Sequence, residues 1–343
     1  MRILQVMAGK GNGGAELYST DVMLNLHAAG IDQCVAMRPA APRFAVLQAR
    51  GLRMASGIFT AGLRPLQRLR MARLIAHEKP DIIHCWMRRA ASLTPASAKG
   101  RAALLGWFGD YEELRHFSHC THLVGCTPDL VRHMREHGFP EERSGYIPTF
   151  PSVDGQPALD RALLDTPAEA PVLLTLSRLH ATKGLDCAIR ALVALPEAYL
   201  WVAGDGPMGG ELEDLARALG VAERVRFLGW RTDRGALLRA ADICLLPSRY
   251  EPFGTVILDA WSVHTPLIAC DSAGPRAHIR DGENGMLVPA DDPNALAAAI
   301  RAVLTTPALR QRIADSGYRE YLSRFTPESV TRQWIALYRG LAG

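Results

Sequence analysis

The sequence predicts an α/β protein built from two doubly wound parallel-sheet domains. Three observations carry this. Short apolar runs alternate with helical patterns from end to end, the pattern of parallel strands joined by crossover helices. The 343 residues are many for one compact core and suit two domains of ordinary size. Between two series of runs lies TFPSVDGQPALDRALLDTPAEAP, rich in Pro, Asp and Ala and without period, which reads as a connection between domains.

Taken in order, the first domain spans 1–155, with strands expected at RILQVM, QCVAM, DIIHCW, AALLGWF, HLVGC and SGYIP. The second spans 170–325, with strands at VLLTLS, AYLWVAG, RVRFLG, ICLLPS, PLIAC and GMLVP. Between the latter, GPMGGELEDLARALGV and DPNALAAAIRAVLTTPALRQRI carry helical spacing. The tail 326–343 opens with Thr326 as N-cap, Pro327 at the first helical position and Glu328 close behind. It is a helix able to fold back on either domain. The ligand site is expected in the cleft between the domains.

Composition narrows the class. With 48% apolar and 22% charged residues the chain reads as soluble and globular. No apolar run approaches the ~20 residues of a membrane span, and the N-terminus lacks a secretory apolar region. A cytoplasmic location is therefore expected. The seven cysteines are scattered, form no CxxC pair and fall largely in strand-like runs, so they read as reduced buried thiols. The net charge of +4 hides an asymmetry: residues 1–150 hold 19 Lys/Arg against 12 Asp/Glu, and residues 151–343 hold 20 against 23. Arg64, Arg68, Arg70 and Arg73 cluster in the basic half. They read either as a solvated helix face or as attraction to an anionic membrane surface. Nucleic acid is disfavoured, because aromatics do not interleave with these arginines.

The first strand is followed by GKGNGGAE, in which Gly9, Gly11 and Gly14 spell G-x-G-x-x-G. A dinucleotide site would need an acid ending the second strand. Asp32 precedes that strand instead, and Arg38 at its end would suit a 2′-phosphate. The other reading keeps the same physics: amides at a helix N-terminus, approached closely past Gly13 and Gly14, hold an anion or sugar hydroxyls.

In the second half, SRLHATKG places Arg178 and Lys183 after a strand, at the carboxyl edge where open parallel sheets bind ligands. A planar fork and a point charge suit a diphosphate. The next strand ends in Gly204-Asp205-Gly206 and the one after in LGWRTD. EPFG follows ICLLPS on the same edge, and Gly254 and Thr255 are expected to present free amides at a helix N-terminus. Glu251 and Asp259 stand eight residues apart, about 12 Å along a helix, too far for both to act on one carbon. One acid suits a sugar, the other a ribose diol. The ligand described is long: sugar, diphosphate, nucleoside.

These motifs resemble glycosyltransferase family 4, over essentially the whole chain and most strongly from 171 to 290. The family's E-x7-E within EPFG is similar to EPFGTVILDA, with Glu251 as first acid and Asp259, one methylene shorter, as second. GGAE at 13–16 and DGENGMLV at 281–288 resemble further family loops. The resemblance implies the two-domain GT-B fold and a retaining, metal-independent transferase without cofactor. It implies Glu251, Arg178 and Lys183 as catalytic residues. Gly13, Gly14, Gly204, Asp205, Gly206, Trp230, Phe253, Gly254, Thr255 and Asp259 would bind the donor, a UDP-sugar in preference to a GDP-sugar. Where many members carry His-Gly, this chain has Phe108-Gly109, so Asp110 or Tyr111, with Glu16, would face the acceptor. The acceptor implied is a glycan or lipid-linked glycan of bacterial lipopolysaccharide-core or surface-polysaccharide assembly, met peripherally at the inner face of the cytoplasmic membrane. No D-x-D motif is present. An epimerase or phosphorylase of the same fold, an NADP-dependent oxidoreductase using the glycine loop, and a non-catalytic sugar-nucleotide binder are the competing expectations. NADPH binding separates the oxidoreductase, and product formation separates the binder.

Overall fold

The computed structural model describes residues 1–9, 11, 13–59, 63–98, 100–153 and 155–343. Lys10 and Asn12 of the glycine loop lie outside the described residues. The chain divides into two compact units, Met1–Ser152 with Thr326–Gly343, and Val153–Phe325.

In the first unit, strands β1 (Arg2–Met7), β2 (Asp32–Ala36), β3 (Arg53–Ala55), β4 (Ile82–Trp86), β5 (Ala103–Phe108), β6 (His122–Gly125) and β7 (Ser144–Tyr146) form one sheet. Its order is β3-β2-β1-β4-β5-β6-β7, parallel throughout. In the second, β8 (Val172–Leu176), β9 (Tyr199–Ala203), β10 (Val225–Gly229), β11 (Ile243–Leu246), β12 (Leu267–Cys270) and β13 (Met286–Val288) pair in the order β10-β9-β8-β11-β12-β13, again all parallel. This is an α/β doubly wound architecture, once in each unit. Central strands such as β4, β8 and β11 are buried along their length, which is why they read as unbroken apolar runs. The order reverses between β1 and β4 and between β8 and β11, so ligand-binding crevices are expected at the carboxyl ends of those strands.

One strand escaped the sequence reading. β3 has three residues, none fully buried, and lies at the sheet edge. Its Arg53 pairs with Asp32 at 2.7 Å and Glu78 at 2.8 Å, so the edge is short and charged, unattractive to another strand. The segment expected to connect the domains also has structure. The 3-10 turn Arg161–Leu164 is tied to the second unit by Arg161, which bonds the Ala240 carbonyl and Asp242.

The helix Pro327–Ala342 starts as its sequence suggests: Thr326 Oγ1 accepts from the Ser329 amide. It covers β4 in the first unit. Trp334 Nε1 donates to Tyr18 Oη, which donates to the Pro148 carbonyl. Tyr338 Oη lies 2.7 Å from His84 Nδ1. Trp86 donates to Gln5, and Gln5 to Gln33. Desolvation takes the His84 pKa down to about 3, so the ring is neutral within this buried network. All seven cysteines are free and buried. No helix among the described residues is long and apolar enough to cross a membrane.

Candidate active site

The carboxyl ends of β8 and β11 bring Arg178, Lys183 and Glu251 to one edge. Lys183 closes the 3-10 turn Ala181–Lys183, whose start is capped by His180 accepting from the Thr182 amide. Gly184 follows with φ +62, and a Cβ there would stand 2.0 Å from the Pro247 carbonyl oxygen. Only glycine lets this turn lie against the end of β11. The Arg249 and Tyr250 amides donate to the Thr182 carbonyl. Two loops, 68 positions apart at their acid and base, are thereby fixed side by side.

Lys183 Nζ donates to Glu251 Oε2 at 2.7 Å, and the other carboxylate oxygen, Oε1, accepts from the Gly254 amide at 3.1 Å. Both charged side chains are largely buried, at 17% and 14% exposure. Two expectations change here. Lys183 and Glu251 were assigned to separate parts of the ligand, yet they form one ion pair. The Gly254 amide, expected free, is capped by Glu251, three residues back. Gly254 has φ +84 and precedes the helix Thr255–Ser262, so Glu251 sits where the positive end of that helix favours an anion. Arg178 is exposed and has no side-chain partner among the described residues.

Asp259, expected at a ribose, is 1% exposed and accepts from Arg234 Nη1 at 2.7 Å. The helix Thr255–Ser262 that carries it is held from behind, where Trp261 packs over Gly317 and donates to the Asn284 carbonyl. Phe253 is buried edge-on against His278, ring centres 4.8 Å apart, so it supports the EPFG turn from beneath. The Glu251 carbonyl accepts from the Gly274 amide at 2.7 Å. Trp230 is 48% exposed, while its neighbour Arg231 is held by both oxygens of Asp233. Gly204 has φ +148, and a Cβ there would stand 1.9 Å from the Ser177 carbonyl oxygen; one at Gly206 would stand 2.4 Å from that of Leu179. The Asp205 carbonyl accepts from the Leu179 amide, leaving its carboxylate exposed. These three residues set the course of the Arg178 loop.

Arg249 was missed. Its guanidinium grips Asp186 through two bonds, at 2.8 and 2.7 Å, and reaches Asp291 and the Ala181 carbonyl. These bonds lower the Asp186 pKa and raise that of Arg249. It lashes the lysine turn to the EPFG loop. Its adjacency to EPFG was the available signal, but its partners are remote in sequence.

The first unit's edge is differently made. A Cβ at Gly9 would lie 2.9 Å from Glu16 Oε1, and one at Gly13 3.2 Å from Oε2. Gly9, Gly11 and Gly13 thus lie around the Glu16 carboxylate, where a dinucleotide reading would put pyrophosphate. Glu16 and the N-terminal Gly13-Gly14 turn therefore form one feature. After β4, Met87 takes φ +64, a strained conformation for a side chain of that size, followed by exposed Arg88 and Arg89. After β5, Asp110 Oδ1 accepts from the Tyr111 amide, and the Tyr111 hydroxyl donates to Asp129. The unforeseen residue is Glu112. Arg88 Nε lies 3.9 Å from its Oε1, and its Oε2 is buried without a hydrogen-bond partner among the described residues. Desolvation raises its pKa to about 7.

With this geometry in view, the family model for glycosyl transferases group 1 matches residues 159–320. The lipopolysaccharide core biosynthesis glycosyltransferases LpsE and LpsD of Rhizobium meliloti are each 34% identical to the chain. LpsE aligns over 98% of this chain and 98% of its own length, and LpsD over 100% and 99%. The chain belongs to the group 1 glycosyl transferases. Among solved structures, Anabaena Alr3699/HepE in complex with UDP and glucose superposes with a TM-score of 0.84 over 98% of this chain and 99% of that one, at 23% identity. That likeness is one of fold. The protein is a glycosyltransferase.

Proposed function

We propose that the chain moves a hexose from a nucleoside-diphosphate sugar, UDP-linked in preference to GDP-linked, to a glycan or lipid-linked acceptor, with retention at the anomeric carbon and without a metal. The names of LpsE and LpsD favour lipopolysaccharide-core assembly. The UDP-glucose complex of HepE favours a UDP-sugar. A lipid-linked acceptor places the work at the inner face of the cytoplasmic membrane.

The observation that carries the reading is Glu251 held between Lys183 and the Gly254 amide. A carboxylate occupies the very donors a diphosphate would use. An arriving diphosphate takes over Lys183, the amide at Gly254 and the exposed Arg178. Glu251, displaced, accepts from hydroxyls of the donor sugar. The bond from the anomeric carbon to the β-phosphate oxygen breaks, and the acceptor oxygen bonds to the carbon on the same face. The acceptor's proton goes to the departing diphosphate. Asp259 contributes by fixing the EPFG helix through Arg234.

The test combines thermal shifts in EDTA with turnover. UDP at 100 times its dissociation constant adds about 2.7 kcal/mol of stability. Glu251→Gln should bind UDP at least as tightly as wild type, because the competitor for Lys183 is weakened, while transfer falls by roughly 10²-fold or more. Lys183→Ala should lose the UDP shift. Stabilisation by GDP alone would reassign the base. Stabilisation by NADPH alone, or near-normal transfer by Glu251→Gln, would overturn the reading.

A further inference from the structure

A cavity of about 450 Å³ opens within the second unit at the amino ends of β11 and β12, the end of the strands away from Lys183 and Glu251. Its walls come from the ends of three helices. Arg239 stands in the last turn of Arg234–Ala240, Val263 and His264 follow Thr255–Ser262, and Arg310 and Gln311 belong to the first turns of Pro307–Arg324. The volume falls within the ~300–1,000 Å³ of small-molecule sites, and nothing in the proposed transfer uses it.

The charge on this cavity is of one sign. Arg310 pairs with Asp242 Oδ1 at 2.7 Å, and Arg161 takes Oδ2 of the same carboxylate at 3.0 Å. Two guanidinium groups thus share one acid, and a positive charge is left over. Arg239 adds another guanidinium to the wall, its Nη1 donating to the Gln156 carbonyl at 2.8 Å. No acid lines the cavity among the described residues. Asp315 lies behind it, held by Gln311 at 2.9 Å and by His264 Nε2 at 3.9 Å. Guanidinium groups fixed in this way suit a phosphate.

The rest of the lining selects what the phosphate carries. Val263 and Pro266 offer apolar surface, and Gln311 and His264 offer polar groups for hydroxyls. His264 is the one ring in the lining, and Tyr318 covers it, ring centres 3.8 Å apart. A nucleobase finds little to stack on there, whereas a sugar finds partners. His264 also takes φ +61, at a helix end where glycine is the usual residue. The backbone cost keeps a side chain at the cavity that glycine would not provide.

We infer that this cavity binds a monosaccharide phosphate that acts as an effector of the donor site. Arg239 and Arg310 hold the phosphate, and the sugar lies against Val263 and Pro266 with its hydroxyls on Gln311 and His264. Two helices connect the ends. Thr255–Ser262 has the EPFG turn before it and His264 behind it, and Arg234–Ala240 carries Arg239 at its rear and Arg234, the partner of Asp259, at its front. A ligand bridging Arg239, His264 and Arg310 ties the rear ends together and alters how the Gly254 turn meets a diphosphate. The effect on the donor rests on the transferase reading. The binding does not.

The test is the thermal shift of the full chain at saturating UDP, with glucose 1-phosphate, glucose 6-phosphate, glucose, inorganic phosphate and AMP as probes. UDP fills the donor site, so added stabilisation arises elsewhere. A sugar phosphate at ten times its dissociation constant should raise the melting temperature by about 3–6 °C. Inorganic phosphate should do less, and glucose nothing. Arg239→Gln with Gln311→Glu should weaken the sugar phosphate by about tenfold or more and keep the wild-type UDP shift, which shows the fold intact. Lys183→Ala, in which the UDP shift is lost, should keep the sugar-phosphate shift without UDP, so failure here and failure of the transferase reading are told apart. The dissociation constant of UDP should change by about fivefold or more when the sugar phosphate is bound. No shift from either sugar phosphate, an equal shift in the double variant, a larger shift from AMP, or an unchanged UDP affinity overturns the inference.

Discussion

At the carboxyl edge of β8, β9 and β11 the closest approaches are backbone to backbone, whereas at the corresponding edge of the first unit glycines meet side chains. A Cβ at Gly184, Gly204, Gly206 or Gly274 would collide with the carbonyl oxygen of Pro247, Ser177, Leu179 or Phe253, at 1.9 to 2.5 Å. In the first unit, one at Gly109 would meet the Trp107 ring at 2.4 Å and one at Gly9 the Glu16 carboxylate at 2.9 Å. A backbone carbonyl cannot yield without moving the chain that carries it. A side chain can turn or be replaced. The second unit therefore holds loops of fixed course, suited to a ligand part that many transferases share. The first holds an edge whose contacts substitution can reshape. The family model matches 159–320, inside the rigid unit, while the full-length likeness extends to particular relatives.

The largest effect expected from this contrast is at Gly204. Gly204→Ala forces a Cβ onto the Ser177 carbonyl at φ +148 and should cost about 3 kcal/mol or more, with loss of the UDP thermal shift. Gly109→Ala displaces one ring edge of Trp107 and should cost about 1–3 kcal/mol, leaving UDP binding in place. Urea unfolding and thermal shift of both variants measure the difference. If Gly204→Ala bound UDP as wild type does, the fixed-loop account of the second unit would fail.

Next in size is Arg249, which touches no part of the proposed ligand. Removing it frees the lysine turn from the EPFG loop and strands Asp186 and Asp291. Arg249→Ala should raise the donor KM by about 10- to 100-fold, the effect of misplacing a binding group by an ångström. Arg249→Lys restores charge but not the two-bond grip on Asp186 and should recover only part. An unchanged KM with a lowered melting temperature would make Arg249 a stability residue alone.

The same contrast explains what could be read from the chain. Interior parallel strands announce themselves because both faces are buried, and all but β3 were visible as apolar runs. β3 depends on Arg53 reaching Asp32 and Glu78, 21 and 25 positions away, and no local pattern encodes that. At the site, Glu251, Lys183 and Arg178 were legible through glycines and charges at strand ends. Their pairing was not: the bonds Lys183–Glu251 and Arg234–Asp259 join residues 68 and 25 positions apart. Reading each charge alone gave every one to the ligand, whereas the fold spends several of them on each other. Glu112 left no sequence signal, since its character comes from burial.

That burial gives the smallest effect, and it too is confined to the first unit. Glu112 would ordinarily titrate near 4.5 and is raised to about 7, chiefly by desolvation. Arg88 opposes the shift and Asp110 adds to it, while His133 bonds the Glu112 main chain. Because the folded pKa lies above the unfolded one, the folded state binds more protons between these values, and stability falls as pH rises through that window. The loss begins near pH 4.5 and is complete above about 7. Glu112→Gln keeps the shape and removes the charge, so it should raise the melting temperature by about 2–4 °C at pH 8 and by much less at pH 5. The matching substitution in the second unit, Glu251→Gln, removes a carboxylate already bound by Lys183 and an amide and should lower stability at pH 8. Melting curves of both variants at the two pH values check the opposite signs. A destabilised Glu112→Gln at pH 8 would mean that Arg88 compensates this carboxylate fully, and the edge of the first unit would then be as tightly paired as that of the second.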